Sequence, residues 1–145
     1  MNETITRFGY PETLVADYEH WVVLLRPAQP TLGSLVLAAK GEALAFSDLS
    51  PAAFEELGTV VAEIEQVLGS AVRYEKINYL MLMMVDPNVH FHVVPRYEGE
   101  RTACGLTLPD AGWPKMPALG EAAKLAPEQV AALVEWLRTR WPNGR

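Results

Sequence analysis

A single long helical stretch stands between short apolar segments, and this arrangement restricts the fold more than any other feature of the sequence. Ser50 can accept a hydrogen bond at the N-terminus of this helix, and Pro51 suits its first position. Gly69 is expected to end the helix. The apolar residues recur at helical spacing and predict one buried stripe, formed by Phe54, Leu57, Val60, Val61, Ile64, Val67 and Leu68.

Short segments rich in apolar residues precede and follow this helix, and each is predicted to be a strand. They span residues 13–17, 20–25, 33–40, 73–84 and 89–95. The segment at 33–40 shows little alternation, so we expect it at the centre of a sheet. A second amphipathic helix follows near the C-terminus, with an apolar stripe of Val130, Leu133, Val134, Leu137 and Trp141. The order β-β-β-α-β-β-loop-α indicates an antiparallel sheet with helices packed against it, which is an α+β fold.

No internal repeat or linker divides the 145 residues, so we expect one domain over residues 1–145. Its core is expected over about residues 10–97, followed by an irregular tail at 98–124 and the C-terminal helix at 125–141. The net charge of −6 predicts no general attraction to nucleic acid or to anionic membranes. The single cysteine, Cys104, excludes an internal disulfide and a cysteine-rich zinc site. With no signal-type N-terminus and no long apolar run, the sequence predicts a cytoplasmic protein without a membrane partner.

Two of the three histidines lie two residues apart in the segment DPNVHFHVVPRY, residues 86–97. Because side chains along a strand alternate between faces, one face is predicted to carry Asn88, His90, His92, Val94 and Arg96. The opposite face, with Val89, Phe91 and Val93, is predicted to enter the core. The polar face offers hydrogen-bond donors and potential cations but no carboxylate. That composition suits a phosphate or another oxyanion.

Four interpretations of the histidine pair remain open on the residues alone. They are zinc binding, phosphate binding without chemistry, nucleophilic or acid–base chemistry at phosphorus, and a structural pair. Zinc requires three or four protein ligands. Beyond the pair, the chain offers only His20, Cys104 and carboxylates. We therefore expect no metal.

The segment NVHFHVVPR, residues 88–96, resembles the signature of the histidine-triad (HIT) superfamily, with Asn88 in place of the first histidine. KINYLML, residues 76–82, resembles the Lys-x-Asn-Tyr-x-x-Leu strand of a bacterial branch that is related to diadenosine polyphosphate hydrolases. TLGSLVLAAK and DAGWPKMPAL resemble further segments of the same branch. The resemblance covers about residues 20–120. It implies a HIT-like antiparallel sheet with one long central helix and a C-terminal helix.

The resemblance implies a nucleotide hydrolase or nucleotidyl transferase that acts at an α-phosphate of a dinucleoside polyphosphate or a nucleotide phosphoramidate. His90 would be the nucleophile, forming a covalent nucleotidyl-histidine, and His92 would donate to the phosphate oxygens. The residues expected to bind phosphate or nucleotide are His92, Asn88, Arg96, Asn78 and Ser34. Such a mechanism needs no metal or other cofactor. The resemblance further implies a small-molecule nucleotide as the partner, and a homodimer.

Four positions depart from the pattern of these relatives. They are Asn88 at the first triad position, Ser34 in place of a histidine, Met83-Met84 in place of Gly-Asn, and Arg26 in place of a residue that binds the ribose. Each change removes a polar contact or a proton carrier. The alternative function is therefore a HIT module that binds nucleotide or phosphate with little or no catalysis.

Overall fold

A computed structural model describes all residues of the chain, 1–145. In chain order its elements are α1 (Glu3–Arg7), β1 (Leu14–Asp17), β2 (Trp21–Leu25), β3 (Ala28–Gln29), β4 (Leu35–Ala39), α2 (Pro51–Ala71), β5 (Lys76–Leu80), β6 (His90–Arg96), β7 (Glu100–Ala103), β8 (Leu106–Pro109), β9 (Ala123–Lys124) and α3 (Pro127–Arg138). Five strands form an antiparallel sheet in the order β1-β2-β4-β6-β5. The predicted α+β fold is confirmed.

Both faces of the sheet are covered, which explains the weak alternation in β2 and β4. Every residue of these two strands is buried. On one face Val23 and Leu37 join the large apolar core with α2 and α3. On the other face Val22 and Val36 pack with Ile5 of α1. The central position predicted for the segment at 33–40 is confirmed.

Helix α2 begins as the sequence predicts, since the Ser50 side chain accepts a hydrogen bond from the backbone N–H of Ala53. The predicted end at Gly69 is wrong. The helix continues to Ala71, and Arg73 then takes the left-handed conformation with φ 55°. Phe54 was expected in the buried stripe but is 41% exposed, and its ring packs against that of Phe46, which is equally exposed.

The segment from 73 to 84 and the tail from 98 to 124 both differ from the prediction. Strand β5 ends at Leu80, and residues 81–89 form a loop that leads into β6. The tail is not irregular throughout, because β7 and β8 form a hairpin and β9 pairs with β3. Helix α1 was not predicted at all. None of the helices has the length and apolar character needed to cross a lipid bilayer.

Candidate active site

Strand β6 presents His90 and His92 on the sheet face that α1 covers. Their ring centroids lie 5.1 Å apart, and the Phe8 ring lies 5.6 Å from the first and 5.7 Å from the second. Both histidines are buried, with 1% and 7% of their surface exposed. They border a cavity of about 220 Å³, named here the histidine pocket, which is also lined by Phe8, Arg26, Leu82, Met83, Met84, Val85 and Asp86.

A backbone hydrogen bond holds the imidazole of His90. Its Nδ1 lies 2.7 Å from the carbonyl oxygen of Asn88. A carbonyl oxygen can only accept, so Nδ1 carries the proton and donates it. The other ring nitrogen, Nε2, is then unprotonated in the neutral ring and keeps its lone pair. This is the tautomer that a histidine nucleophile requires.

His92 has the opposite tautomer. The Nε–H of Arg26 donates to Nδ1 of His92 over 3.3 Å, so Nδ1 accepts and Nε2 carries the proton of the neutral ring. Burial lowers the pKa of His92 to about 4, with smaller contributions from the positive charge of Arg26 and from His90. His92 is therefore a neutral hydrogen-bond donor at pH 7. The pocket thus pairs one nitrogen that can attack with one N–H that can donate.

The turn between β2 and β4 holds the backbone of Arg26 in place. Arg26 donates its backbone N–H to the carbonyl of Ser34 and accepts from the Gln29 side chain. Its guanidinium also donates to the carbonyl of Ala28. One permanent positive charge is therefore held at the edge of the pocket. The single carboxylate in the lining, Asp86, lies 3.5 Å from the guanidinium of Arg7.

Asn88 does not line the histidine pocket. Its side-chain oxygen accepts from the backbone N–H and the hydroxyl of Thr4, and its own backbone N–H donates back to that hydroxyl. Asn88 is 4% exposed. Its side chain therefore joins α1 to the start of β6, and its carbonyl orients His90. Phosphate binding by Asn88 stays a prediction; in this structure its side chain bonds to Thr4 and its carbonyl accepts from His90.

Residues 9–99 match the family described as HIT domain. The chain belongs to the HIT family. The match confirms the resemblance at the level of the family. A search of curated protein sequences found no match.

Solved structures of other HIT proteins share the fold. A histidine triad protein from Sinorhizobium meliloti has a TM-score of 0.74 at 20% identity, over 97% of this chain and 95% of the other. A hypothetical histidine triad nucleotide-binding protein from Sulfolobus tokodaii has a TM-score of 0.68 at 18% identity, over 94% and 88%. Diadenosine triphosphate hydrolase from Plasmodium falciparum has a TM-score of 0.67 at 9% identity, over 89% and 76%.

Ser34 lies outside the pocket of this HIT protein. Its hydroxyl bonds to the hydroxyl and the carbonyl of Thr31, and the residue is fully buried. Phosphate binding by Ser34 stays a prediction; in this structure its hydroxyl closes the turn before β4.

Arg96 and Asn78 also lie apart from the histidines, in a second cavity. Arg96 is buried, with 4% of its surface exposed, and its binding of phosphate stays a prediction. Its guanidinium donates to both carboxylate oxygens of Asp110, over 2.7 and 3.1 Å, and to the side-chain oxygen of Asn78. Of the six predicted site residues, only His90 and His92 line the histidine pocket, while Asn78 and Arg96 meet in the second cavity. No group of three or more His, Cys, Asp or Glu side chains is placed to hold a metal ion.

The sequence did not predict that Phe8, Asp86 and Arg26 belong to the site. Arg26 was noted only as a lost ribose contact, although it brings a cation to His92. Phe8 follows a helix of five residues, which is too short for a periodicity signal. The residue that could have indicated this helix is Asn2, whose side chain caps it by accepting a hydrogen bond from the N–H of Ile5.

Proposed function

We propose that this HIT-family protein cleaves a nucleotide at its α-phosphate through a covalent intermediate on His90. The observation that carries the proposal is the hydrogen bond from Nδ1 of His90 to the carbonyl of Asn88. It leaves Nε2 as the nucleophilic nitrogen of a residue that lines the pocket. The partner would be a small-molecule nucleotide, and no metal or cofactor takes part in the proposed steps.

In the first step Nε2 of His90 attacks the phosphorus and forms a P–N bond, while the bond to the leaving group breaks. The leaving group departs with the electron pair. The imidazole becomes positively charged and keeps its Nδ1 proton, which the Asn88 carbonyl stabilises. In the second step water attacks the phosphorus and releases a proton to the solvent, while the P–N bond breaks and its electron pair returns to Nε2. The N–H of His92 and the charge of Arg26 would stabilise the phosphate oxygens in both steps.

The position of Ser34 bears on which leaving groups are suitable. Its hydroxyl is engaged by Thr31, and the only carboxylate in the pocket lining is Asp86. A phosphate leaving group is a weak base and can depart without a proton, whereas an amine cannot. The site therefore favours a polyphosphate substrate over a phosphoramidate. The diadenosine triphosphate hydrolase of known structure supports the same substrate class by its name.

The alternative is a module that binds a nucleotide or phosphate without turnover. Arg26 favours it, because a guanidinium bound to His92 attracts a phosphate whether or not His90 attacks. Intact-protein mass spectrometry after mixing with diadenosine polyphosphates separates the two functions. The enzyme predicts a transient nucleotidyl adduct that is absent from His90→Asn and present in the control His20→Asn. Saturable nucleotide binding without adduct or cleavage would instead favour the module.

We further propose that the protein is a homodimer, formed through β5 and α2. Strand β5 is an edge strand, so one side of its backbone is free to pair with another strand. A groove beside it is lined only by apolar side chains, including Leu57, Val61 and Tyr79, and Phe54 is 41% exposed next to it. Sedimentation analysis should give a dimer that Phe54→Asp weakens. A monomer in the unchanged protein at micromolar concentration would contradict this proposal.

A further inference from the structure

The largest cavity of the molecule is not the histidine pocket. A cavity of about 560 Å³, named here the lysine cavity, lies between the end of the sheet and the tail segment. Strand β5 supplies Lys76, Asn78 and Leu80 to its lining, and residues 113–117 of the tail supply the opposite wall.

The polar groups of the lysine cavity are cations or hydrogen-bond donors. No carboxylate belongs to its lining. Lys76 and Lys115 form no ion pair, whereas the charge of Arg96 is balanced by Asp110. The side-chain oxygen of Asn78 accepts from Arg96, so its NH₂ group is the part left to bind a ligand. A site with two free cations and a free donor, on a protein with net charge −6, selects an anion.

The two cavities lie next to each other on one face of the sheet. In the pairing of β5 with β6, Leu80 lies opposite His92 and Lys76 lies opposite Arg96. Leu80 lines the lysine cavity, while Leu82, two residues further along, lines the histidine pocket. Four residues of strand separate His92 from Arg96, which corresponds to about 13 Å. A single phosphate group cannot bridge that distance, whereas a chain of several phosphates can, and its negative charges match Lys76 and Lys115.

We propose that the lysine cavity binds the distal phosphates and the second base of a dinucleoside polyphosphate whose reacting phosphorus lies at His90. Lys76 and Lys115 neutralise the phosphates, and the amide of Asn78 donates to them. The indole of Trp113, in the same lining, offers a flat surface on which a base can stack. This inference rests on the proposed cleavage at His90 and adds to it the length of the substrate.

The test compares a long and a short substrate in matched variants. The kcat/KM values for diadenosine tetraphosphate and adenosine phosphoramidate are measured in the unchanged protein, in Lys76→Gln/Lys115→Gln, and in Lys124→Gln/Arg138→Gln. The last variant removes the same charge and alters no residue of either cavity. The preference for the long substrate should fall about tenfold in the first variant, because two charged contacts are lost, and should not change in the control. An equal effect on both substrates, or no effect, overturns the proposal.

Binding of inorganic tripolyphosphate separates a failure of this site from a failure of the cleavage reaction. Calorimetry is carried out on the unchanged protein, on His90→Asn and on Lys76→Gln/Lys115→Gln. Tripolyphosphate binding should persist in His90→Asn and be lost in the lysine variant, even if no nucleotide is cleaved. Binding that survives the lysine substitutions places the anion elsewhere and refutes the lysine cavity as its site.

Discussion

Replacing Arg26 with methionine should raise the pKa of His92. Methionine keeps a long, unbranched side chain but removes the positive charge that now lies beside the imidazole, with Nε 3.3 Å from Nδ1. A neighbouring cation opposes protonation, so its removal makes the imidazolium easier to form. The direction of the change is therefore upward.

The size of this change follows from the position of the guanidinium. Two unit charges about 4 Å apart interact by about 1 kcal/mol in a fully aqueous environment, and one pKa unit corresponds to about 1.4 kcal/mol. Because His92 is buried, this is a lower limit, and the loss of Arg26 should raise the pKa of His92 from about 4 to about 5 or above. Burial is the largest cause of the low value and is retained, so the pKa stays below that of a free histidine.

An NMR titration of the histidine side chains between pH 3 and 8 measures this pKa, with Arg138→Met as the control. His20 provides an internal reference, because it lies outside the histidine pocket. A pKa for His92 near 6.5 in the unchanged protein would refute the account of its environment. An unchanged pKa in Arg26→Met would show that the guanidinium is not beside the ring.

Three further predictions concern stability, each measured as the free energy of urea unfolding. The pKa of His92 is about 4 in the folded protein and about 6.5 in the unfolded chain, so the unfolded chain binds the proton more readily. Lowering the pH through that window should therefore reduce the free energy of unfolding, by at most about 3 kcal/mol. The His92→Asn variant should lose less stability than the unchanged protein between pH 7 and 4.5, and an identical loss would contradict this prediction. Asp110→Ala should cost about 3–5 kcal/mol, since it leaves Arg96 buried without its partner, and Arg96→Met/Asp110→Leu should recover part of that cost. Thr4→Val should cost about 1–3 kcal/mol by removing the hydroxyl contacts to Asn88, whereas the exposed Thr6→Val should be nearly neutral.

The strand period alone predicted which side chains of β6 face together. His90 and His92 share a face, Val89 and Val93 enter the core, and Phe91 is half-buried on the same side as those two valines. The prediction succeeded because successive side chains of a strand point to opposite faces, so the strand assignment alone fixes the face of each residue.

The partners of the polar side chains could not be predicted in this way. Whether Arg26 reaches His92 depends on the turn between β2 and β4. The side-chain amide of Gln29 holds this turn by donating to the backbone carbonyls of Arg26 and Ser34. Arg96 was placed on the correct face, but Asp110 arrives from a segment that had no strand signal. The β7–β8 hairpin was missed because its turn uses a left-handed Cys104 before Gly105, a pair without the usual turn signature.

The end of helix α2 was predicted wrongly from its glycine. A glycine signals the end of a helix when the chain must turn into the left-handed region, but Gly69 remains helical. The left-handed residue is Arg73 instead, after Val72 has donated to the carbonyl of Leu68. Leu68 and Val72, on either side of Gly69, are both buried in the core.

The central claim is that Nε2 of His90 forms the bond to phosphorus. Its most direct test is the attachment position in an adduct trapped by rapid denaturation of a ¹⁵N-histidine-labelled protein during turnover of a diadenosine polyphosphate. Nitrogen–phosphorus coupling in the NMR spectrum identifies the bonded atom. We predict coupling to Nε2 of His90, because Nδ1 is occupied by its hydrogen bond to the Asn88 carbonyl. Phosphorus on Nδ1, or on any other residue, would contradict the account.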